Sequence, residues 1–394
     1  MSRRLPYLNS RLQDFTGTIF SEMSALAEAT GSINLGQGFP DEDGPDLIKR
    51  AAIRSIELGR NQYPPGNGIS ELRSAVAAHQ QRYYGLDFDP ATEILVTAGA
   101  TEAIASCLLA LCEVDDEVVM FEPFYDSYAA CTAMAGAHRK VVPLREPDWD
   151  FDPADLENAI TPRTRILLVN TPHNPTGKMF SREELLMIAD ACHRHDLIAV
   201  VDEVYEHLIF ESAHLSLASM PGMARRTITI SSAAKTFSFT GWKIGWACSS
   251  RELIAAVRAA KQFLTYVNGA PFQYAVAEGL NQCDDYIVEM ALVLRNKRDL
   301  LAAGLQAAGL RVLDSQGTFF LTTDISPLTD EHPYNFCLAL PERCGLVAIP
   351  SSVFYDDEDA GAHYVRWMFS KRPEVLEEAV TRLGNLQMTG VRSS

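Results

Sequence analysis

Lys235 restricts the chemistry of this chain more than any other residue, because of where it stands. The run Thr227–Ile230 is rich in β-branched residues and predicts a short buried strand, and Lys235 follows it among small residues. A lysine with little hydration can lose its proton and attack carbonyl carbons. Ser232 and Lys243 add a hydroxyl and a cation, which suit a phosphate group. Together these residue types predict a Schiff-base lysine that holds pyridoxal phosphate.

An aspartate and a tyrosine follow a second apolar run. Asp202 ends the run Leu197–Asp202, and Tyr205 comes three residues later. A carboxylate at the mouth of a buried strand is costly unless it is paired. A pyridinium N–H is a suitable partner, and Tyr205 can reach an oxygen of the same ring, while N-capping of a helix is the structural alternative. Taken with Lys235, the pair favours a functional interpretation.

An irregular turn follows a third apolar run, Arg165–Asn170. The segment Asn170-Thr-Pro-His-Asn-Pro-Thr-Gly-Lys178 contains two prolines and a glycine, which predict a rigid turn. Asn174 lies between a histidine and a proline, so the direction of its side-chain amide is fixed. An amide held in this way can donate to a phenolate oxygen, and we interpret Asn174 as a site residue.

Three further candidates each have an ordinary structural explanation. The turn Ala98-Gly-Ala-Thr101 opens a helix and lets backbone N–H groups approach an anion, although tight turns are common in α/β proteins. Tyr125 or Phe124 can stack on a flat heteroaromatic ring or belong to the core. Arg366 lies inside the apolar run Tyr364–Phe369, where it suits a ligand carboxylate as well as an internal salt bridge.

The elements that position these candidates alternate between helix and strand from about residue 46. Their strand runs are continuously apolar, which indicates strands covered on both faces and hence a mostly parallel α/β sheet. Ligands bind at the carboxyl ends of such strands, where the candidates of this part of the chain lie. Helices predicted at Arg251–Tyr266, Pro271–Gln282 and Asp285–Ala308 lead to a smaller α+β unit. We predict a large cofactor-binding domain at 46–284, and a small domain made of 1–45 and 285–394.

Composition excludes several classes of partner. The 394 residues carry a net charge of −17, which argues against nucleic acid and anionic membranes as partners. Apolar residues make up 47% of the chain, enough for two cores, and no run of apolar residues is long enough to span a membrane. The eight cysteines include no CxxC pair, so free thiols in a cytoplasmic protein are favoured over disulfides or a metal site.

With these residues in view, the chain resembles the class I aminotransferases of fold type I, a pyridoxal-phosphate fold. The pattern is nearest the branch with kynurenine/glutamine, methionine and N-succinyldiaminopimelate aminotransferases, and nearest of all the last subgroup. The resemblance spans nearly the whole chain and includes the segments Asn34–Asp41, Asn61–Pro64, Glu122–Tyr128, His173–Lys178, Asp202–Tyr205, Ser232–Lys243 and Gly269–Gln273, with Arg366.

The resemblance implies a role for each residue around the cofactor ring. Lys235 would hold the cofactor covalently and move a proton between the substrate Cα and the cofactor C4′. Asp202 would keep the pyridine nitrogen protonated. Asn174 and Tyr205 would hold the phenolate oxygen, while Tyr125 stacks on the ring.

The resemblance also implies how phosphate and substrate are bound. The phosphate ligands would be Ala100, Thr101, Ser232 and Lys243, with Tyr63 of the partner subunit. Arg366 would bind the substrate α-carboxylate, with Gly36 and Asn174 nearby. Since one ligand crosses an interface, a homodimer with two shared active sites is implied.

Two departures and several alternatives stay open. Trp367 replaces a common phenylalanine, and Phe237 and Phe239 add aromatic bulk near the lysine, while no second arginine for a distal carboxylate is obvious. Transfer of an amino group between an L-amino acid and a 2-oxo acid is the expected reaction, with N-succinyl-LL-diaminopimelate and 2-oxoglutarate as one pair. The same residues would serve kynurenine/glutamine or methionine transamination, a β-lyase, or a specialised-metabolism enzyme. A ligand-sensing regulator lacks room for a DNA-binding module, and a dinucleotide dehydrogenase lacks G-x-G-x-x-G.

Overall fold

The computed structural model describes residues 4–389. Within this range the strands are short and the helices vary from one turn to seven. The helices are α1 Ile19–Thr30, α2 Asp46–Glu57, α3 Ser70–Tyr84, α4 Gly99–Leu111, α5 Asp126–Ala135, α6 Pro153–Ala159, α7 Arg182–Arg194, α8 Ala233–Thr236, α9 Arg251–Lys261, α10 Ala270–Gln282, α11 Asp284–Ala307, α12 Pro333–Cys344 and α13 Pro373–Thr389. The strands are β1 Ile33–Asn34, β2 Ile94–Thr97, β3 Glu117–Glu122, β4 His138–Pro143, β5 Thr164–Asn170, β6 Ile198–Asp202, β7 Thr227–Ser232, β8 Gly245–Cys248, β9 Arg311–Val312, β10 Phe320–Asp324, β11 Leu346–Val347, β12 Ile349–Pro350 and β13 Tyr364–Met368.

A seven-stranded mixed sheet forms the centre of the fold, in the order β2-β8-β7-β6-β5-β3-β4. Only β8 runs antiparallel to its neighbours, and the other pairings are parallel. The predicted α/β class with a mostly parallel mixed sheet is therefore confirmed. Because the six strands other than β8 run in the same direction and end at one edge of the sheet, the residues that follow β2, β3, β5, β6 and β7 lie near one another.

Helices cover both faces of this sheet, and the strand sequences show why. Alternate residues of β6 face opposite sides: Ala199 and Val201 pack in one core cluster, while Val200 packs in another with α4, α5 and α9. On the side of Trp246, α2, α3 and α10 form the cover. Both sides of a strand therefore bury apolar side chains, which explains the continuous apolar runs.

The C-terminal part forms a second core around an antiparallel sheet in the order β12-β13-β10-β9, packed with α11, α12 and α13. The N-terminal segment joins it, since β1 pairs in parallel with β11 through Ile33 and Leu346. On these contacts we propose the domain division predicted from the sequence, 46–284 against 1–45 with 285–394. Residues 1–3 and 390–394 of that division lie outside the described part of the chain.

The helix predicted at Arg251–Tyr266 is shorter than expected. It ends at Lys261, whose buried ammonium donates to the carbonyl of Tyr266 at 2.6 Å and folds the following segment back. Tyr266 itself has a φ of 63°, which is incompatible with a continued α-helix. Helix α1 was not predicted. Among residues 4–389, no helix is both long and apolar enough to cross a membrane.

Candidate active site

A cleft of about 1350 Å³ lies at the carboxyl ends of the parallel strands. Ten of the predicted site residues line it: Ala100, Thr101, Tyr125, Asn174, Asp202, Tyr205, Ser232, Lys235, Lys243 and Arg366. Two predicted residues do not. Gly36 lies behind Arg366, and Tyr63 is 80% exposed on the surface of this chain. The topology thus brings together candidates that are up to 266 positions apart in the sequence (Ala100 to Arg366).

Lys235 extends into the cleft from α8, the single helical turn that follows β7. Its Nζ lies 3.5 Å from the carbonyl oxygen of Gly38, and 5.8 and 5.5 Å from the ring centres of Tyr205 and Phe319. Loss of hydration lowers the pKa of Lys235 to about 8, although the charge of Asp202 opposes this shift. Roughly a fifth of the amine is therefore neutral near pH 7.4, far more than for an ordinary lysine, and this is the form that reacts with carbonyl groups.

Asp202 ends β6 and is 5% exposed. Its Oδ2 accepts a hydrogen bond of 2.8 Å from the hydroxyl of Tyr128, and its Oδ1 accepts one of 3.2 Å from the backbone N–H of Val204. Burial raises the pKa of Asp202 to about 6, and these two bonds limit the rise. A buried carboxylate with only neutral donors is suited to a cationic N–H from a ligand.

A site for an anion lies where β2 turns into α4. Gly99 has a φ of 78°, and a Cβ added there would lie 3.2 Å from Nζ of Lys243. Gly245 lets β8 approach the same turn, because a Cβ there would lie 2.7 Å from the carbonyl carbon of Gly99. Ser232 is the register partner of Gly245. A helix N-terminus, a cation and a hydroxyl therefore surround one position, which is an arrangement typical of phosphate sites.

Arg366 comes from β13 and is 1% exposed. Its Nη1 donates to Oδ1 of Asn174 and its Nη2 to the carbonyl oxygen of Gly36, both at 2.9 Å. Its guanidinium lies 3.9 Å from the ring centre of Phe320. Nε is buried and has no hydrogen-bond partner. Burial lowers the pKa of Arg366 to about 10, so the group stays cationic and can bind a carboxylate that enters the cleft.

Two tyrosines define the walls between these groups. Tyr125 precedes α5 and packs edge to face with Tyr128, with 5.7 Å between the ring centres. Tyr205 packs edge to face with Phe319 at 5.4 Å. Burial raises the pKa of Tyr125 to about 12 and raises that of Tyr205 further, so both hydroxyls are protonated and able to donate.

Sequence reasoning missed three residues that the cleft uses. Tyr128 holds Asp202, and Gly38 offers its carbonyl oxygen to Lys235. Arg139 of β4 also lines the cleft, with its Nε 2.6 Å from Oδ1 of Asp356. Only Tyr128 had a usable signal, because it lies three positions after Tyr125 at the start of a helix and so shares its face.

The side chains of the cleft fit pyridoxal 5′-phosphate. The turn at Gly99 with Lys243 matches its phosphate, Asp202 matches a protonated ring nitrogen, and the amine of Lys235 has the lowered pKa that reaction with its aldehyde requires. The unpaired Nε of Arg366 leaves a donor for the carboxylate of an amino acid. The geometry therefore defines the class of a pyridoxal-phosphate enzyme that acts on amino acids.

The chain belongs to the family Aminotransferase class I and II, which it matches over residues 30–383. It is 54% identical to a probable N-succinyldiaminopimelate aminotransferase, DapC, of Mycobacterium tuberculosis over 96% of this chain and 98% of that protein. A methionine aminotransferase of Escherichia coli is 36% identical over 96% of this chain and 98% of its own length.

Solved structures give the same result. The N-succinyldiaminopimelate aminotransferase of M. tuberculosis matches with a TM-score of 0.94 at 54% identity, covering 96% of this chain and 100% of that one. Bna3p, a putative kynurenine aminotransferase of Saccharomyces cerevisiae, matches with a TM-score of 0.92 at 30% identity, covering 97% and 99%. The chain is therefore a pyridoxal-phosphate-dependent aminotransferase, as predicted. The regulator and the dehydrogenase are excluded.

Proposed function

We propose that this enzyme transfers an amino group from N-succinyl-LL-diaminopimelate to 2-oxoglutarate, as a homodimer. The observation that carries the chemistry is the convergence of Lys235, Asp202 and Arg366 on one cleft. The choice of substrate rests on the 54% identity to the M. tuberculosis protein over nearly the full length of both chains.

Pyridoxal phosphate supplies an aldehyde that captures amines and a ring that accepts electrons. In our proposal Lys235 holds the cofactor through Nζ until an amino acid arrives. Its amine would be the base that takes a proton from the substrate Cα and the acid that returns it, so one group would serve in both roles. A pKa of about 8 suits this double role, because both protonation states are populated near neutral pH.

Asp202 would accept a hydrogen bond from the protonated ring nitrogen and keep that nitrogen cationic, since a buried anion favours a cation beside it. Tyr128 fixes the direction of that carboxylate through the bond of 2.8 Å. Asn174 and Tyr205 would donate to the phenolate oxygen, and Tyr125 would stack on the ring. These roles are supported by the position of all four partners along the wall of the cleft.

The phosphate binds at the N-terminus of α4, through Ala100 and Thr101 with Ser232 and Lys243. Tyr63 of the partner subunit supplies a further hydroxyl. Two exposed aromatic side chains support this interface: Tyr63 is 80% exposed and Phe263 is 84% exposed. Exposed apolar surface of this kind favours association with another chain. Sedimentation of the purified protein tests the dimer.

Arg366 binds the α-carboxylate that every amino acid carries, and Asn174 and Gly36 hold the guanidinium in place. Gly36 has no room for a side chain, because an added Cβ would lie 2.8 Å from Cδ1 of Ile349. The part of the cleft beyond Arg366 binds the rest of the substrate. Among the described residues that line the cleft, Arg139 is the fourth cation besides Lys235, Lys243 and Arg366. We therefore assign the distal carboxylate of the substrate to Arg139.

Three other reactions would use the same residues. Kynurenine and methionine transamination are named for relatives at about 35% identity, and a β-lyase needs no different side chains. The experiment that separates them is a panel of single half-reactions monitored by the absorbance of the bound cofactor, followed by product analysis. We expect N-succinyl-LL-diaminopimelate to react with the highest kcat/KM and 2-oxoglutarate to become glutamate. Preferred turnover of kynurenine or methionine, or release of pyruvate and ammonia from a β-substituted substrate, would contradict the proposal.

We also propose that the enzyme works in the cytoplasm. Eight free cysteines, seven of them buried, suit a reducing compartment. Fractionation of cells with an antibody against the chain tests this, and recovery in an extracytoplasmic fraction would contradict it.

A further inference from the structure

A second polar cluster lies outside the cofactor cleft, between α3 and the turn after β6. His79 and His207 face each other with their Nε2 atoms 2.7 Å apart. A carboxylate oxygen of Glu206 lies within 4.8 Å of both nitrogens. All three residues are at most 4% exposed, and none of them lines the cleft. The proposed function assigns no role to these side chains.

The cluster contains more hydrogen-bond acceptors than donors. Glu206 accepts from the hydroxyls of Tyr84 and Ser231 at 2.6 and 2.5 Å. Both oxygens of the neighbouring Glu203 are buried and have no hydrogen-bond donor, and Nε2 of His214 stays 3.7 Å away. Tyr84 connects the two carboxylates, because its hydroxyl donates to Glu206 and its ring packs edge to face, at 5.7 Å, with His214 beside Glu203. Two buried carboxylates with so few donors need a positive charge.

The two facing imidazoles supply lone pairs rather than charge. Their Nε2 atoms face each other at 2.7 Å, a separation at which both cannot carry a proton, so at least one of them offers a lone pair. The side chain of Gln80 contacts Nδ1 of His79 at 3.4 Å, and its Oε1 is buried without a donor. With the amide turned by 180°, this oxygen accepts from Nδ1–H and leaves Nε2 of His79 unprotonated, which is the form that binds metals.

We propose that His79, Glu206 and His207 bind one divalent transition-metal ion, with Zn²⁺ as the best match. Two imidazoles and a carboxylate form a donor set that zinc prefers, whereas Ca²⁺ and Mg²⁺ prefer oxygen ligands alone. The ion supplies the positive charge that Glu203 and Glu206 lack. Tetrahedral Zn–N bonds of about 2.0–2.1 Å separate two ligand atoms by about 3.3 Å, so the rings move apart by about 0.6 Å on binding.

Such an ion would fasten the active-site turn to the helix behind it. Glu206 and His207 directly follow Tyr205, and Asp202 precedes them in the same turn. His79 belongs to α3 on the covering layer. Occupancy therefore restrains the segment that presents Asp202 and Tyr205 to the cleft, and the ion acts as a positioning element rather than as part of the reaction.

Metal content of the cofactor-loaded enzyme tests the site. The enzyme is stripped with a chelator, equilibrated with ZnCl₂, desalted and analysed by plasma mass spectrometry. We expect about one zinc per chain for the natural sequence, and less than about a tenth of that for His79→Ala and His207→Ala. His138→Ala is the matched control and should retain the full amount, because this exposed histidine pairs with Asp115 on the surface.

A second measurement does not depend on the variants folding. Zinc X-ray absorption of the unaltered enzyme should show imidazole nitrogens in the first shell at about 2.0–2.1 Å. The site is refuted if the unaltered enzyme retains no zinc after desalting, if His79→Ala retains as much as the parent, or if the first shell lacks imidazole. A hydrogen bond between the two neutral rings would then explain the 2.7 Å contact. Activity is not a readout, so failure here leaves the proposed substrate untouched.

Discussion

Replacement of Arg366 by alanine should weaken binding of every amino-acid substrate to a similar degree. Nη1 and Nη2 each donate one bond inside the protein, to Asn174 and to the carbonyl of Gly36, and Nε has no partner. The remaining N–H groups are therefore available to the α-carboxylate. A charge-assisted hydrogen bond contributes about 1.5–3 kcal/mol, which corresponds to a rise in KM of roughly 10- to 150-fold.

The same substitution should also lower stability. It removes the donors of two acceptors in a buried site, and each unsatisfied acceptor costs about 1–3 kcal/mol in the free energy of unfolding. Arg366→Lys should lose less affinity, because it keeps the charge without the planar fork. Arg343→Ala, which removes an ion pair with Glu331 between two residues that do not line the cleft, serves as the control.

Steady-state kinetics with a panel of amino acids measure this prediction, and denaturant unfolding measures the stability of each variant. A rise in KM for only one class of amino-acid substrate would mean that Arg366 binds the substrate side chain and not the α-carboxylate. An unchanged KM for all substrates would refute its role with the α-carboxylate.

Four further predictions follow from the cleft. Lys235→Ala should abolish turnover and the visible absorbance of bound cofactor while sedimentation still shows a folded dimer. Tyr128→Phe should lower kcat roughly 10- to 150-fold, the equivalent of about 1.5–3 kcal/mol for a bond to a charged group; it should also move the acid limb of the pH profile upwards, since the pKa of Asp202 rises without its donor. The rate at which cofactor-free protein takes up pyridoxal phosphate should increase through pH 8 and then level off, because the neutral amine reacts and the pKa of Lys235 is about 8; stopped-flow absorbance measures this. Arg139→Ala should raise KM for N-succinyl-LL-diaminopimelate but leave that for a neutral amino acid unchanged in the same kinetic assay.

Each of these has a contrary outcome. Transamination by Lys235→Ala would show that the lysine is not required for the reaction. An unaltered pH profile of Tyr128→Phe would show that the hydrogen bond from Tyr128 does not affect the pKa of Asp202. Uptake that keeps accelerating above pH 10 would indicate a lysine with an ordinary pKa. Equal changes for charged and neutral substrates would place Arg139 outside the specificity site.

The fold was predictable from the sequence because the strands are continuous apolar runs and the candidate residues stand where they end. Asp202 ends β6 and Asn174 comes shortly after β5, so the residue types and the topology indicated the same edge of the sheet. The end of α9 was not predictable, because it is set by a bond from Lys261 to a carbonyl five residues on. No local pattern reports such a contact.

The support around the site was equally hidden. The sequence puts Tyr128 on the same helix face as Tyr125, but no local pattern places its hydroxyl 2.8 Å from Asp202, 74 positions away. The proximity of Gly36 to Arg366, a contact across 330 positions, was reached through the family resemblance and not from any local pattern. Residue types reveal reactive groups, whereas long-range packing decides which neighbours hold them.

The central claim is that Nζ of Lys235 carries the cofactor. Reduction of the purified enzyme with borohydride, followed by proteolysis and mass spectrometry, tests it most directly. We expect one phosphopyridoxyl group per chain, attached to the peptide that contains Lys235. A label on another lysine, or an enzyme that is active but acquires no label, would contradict the claim.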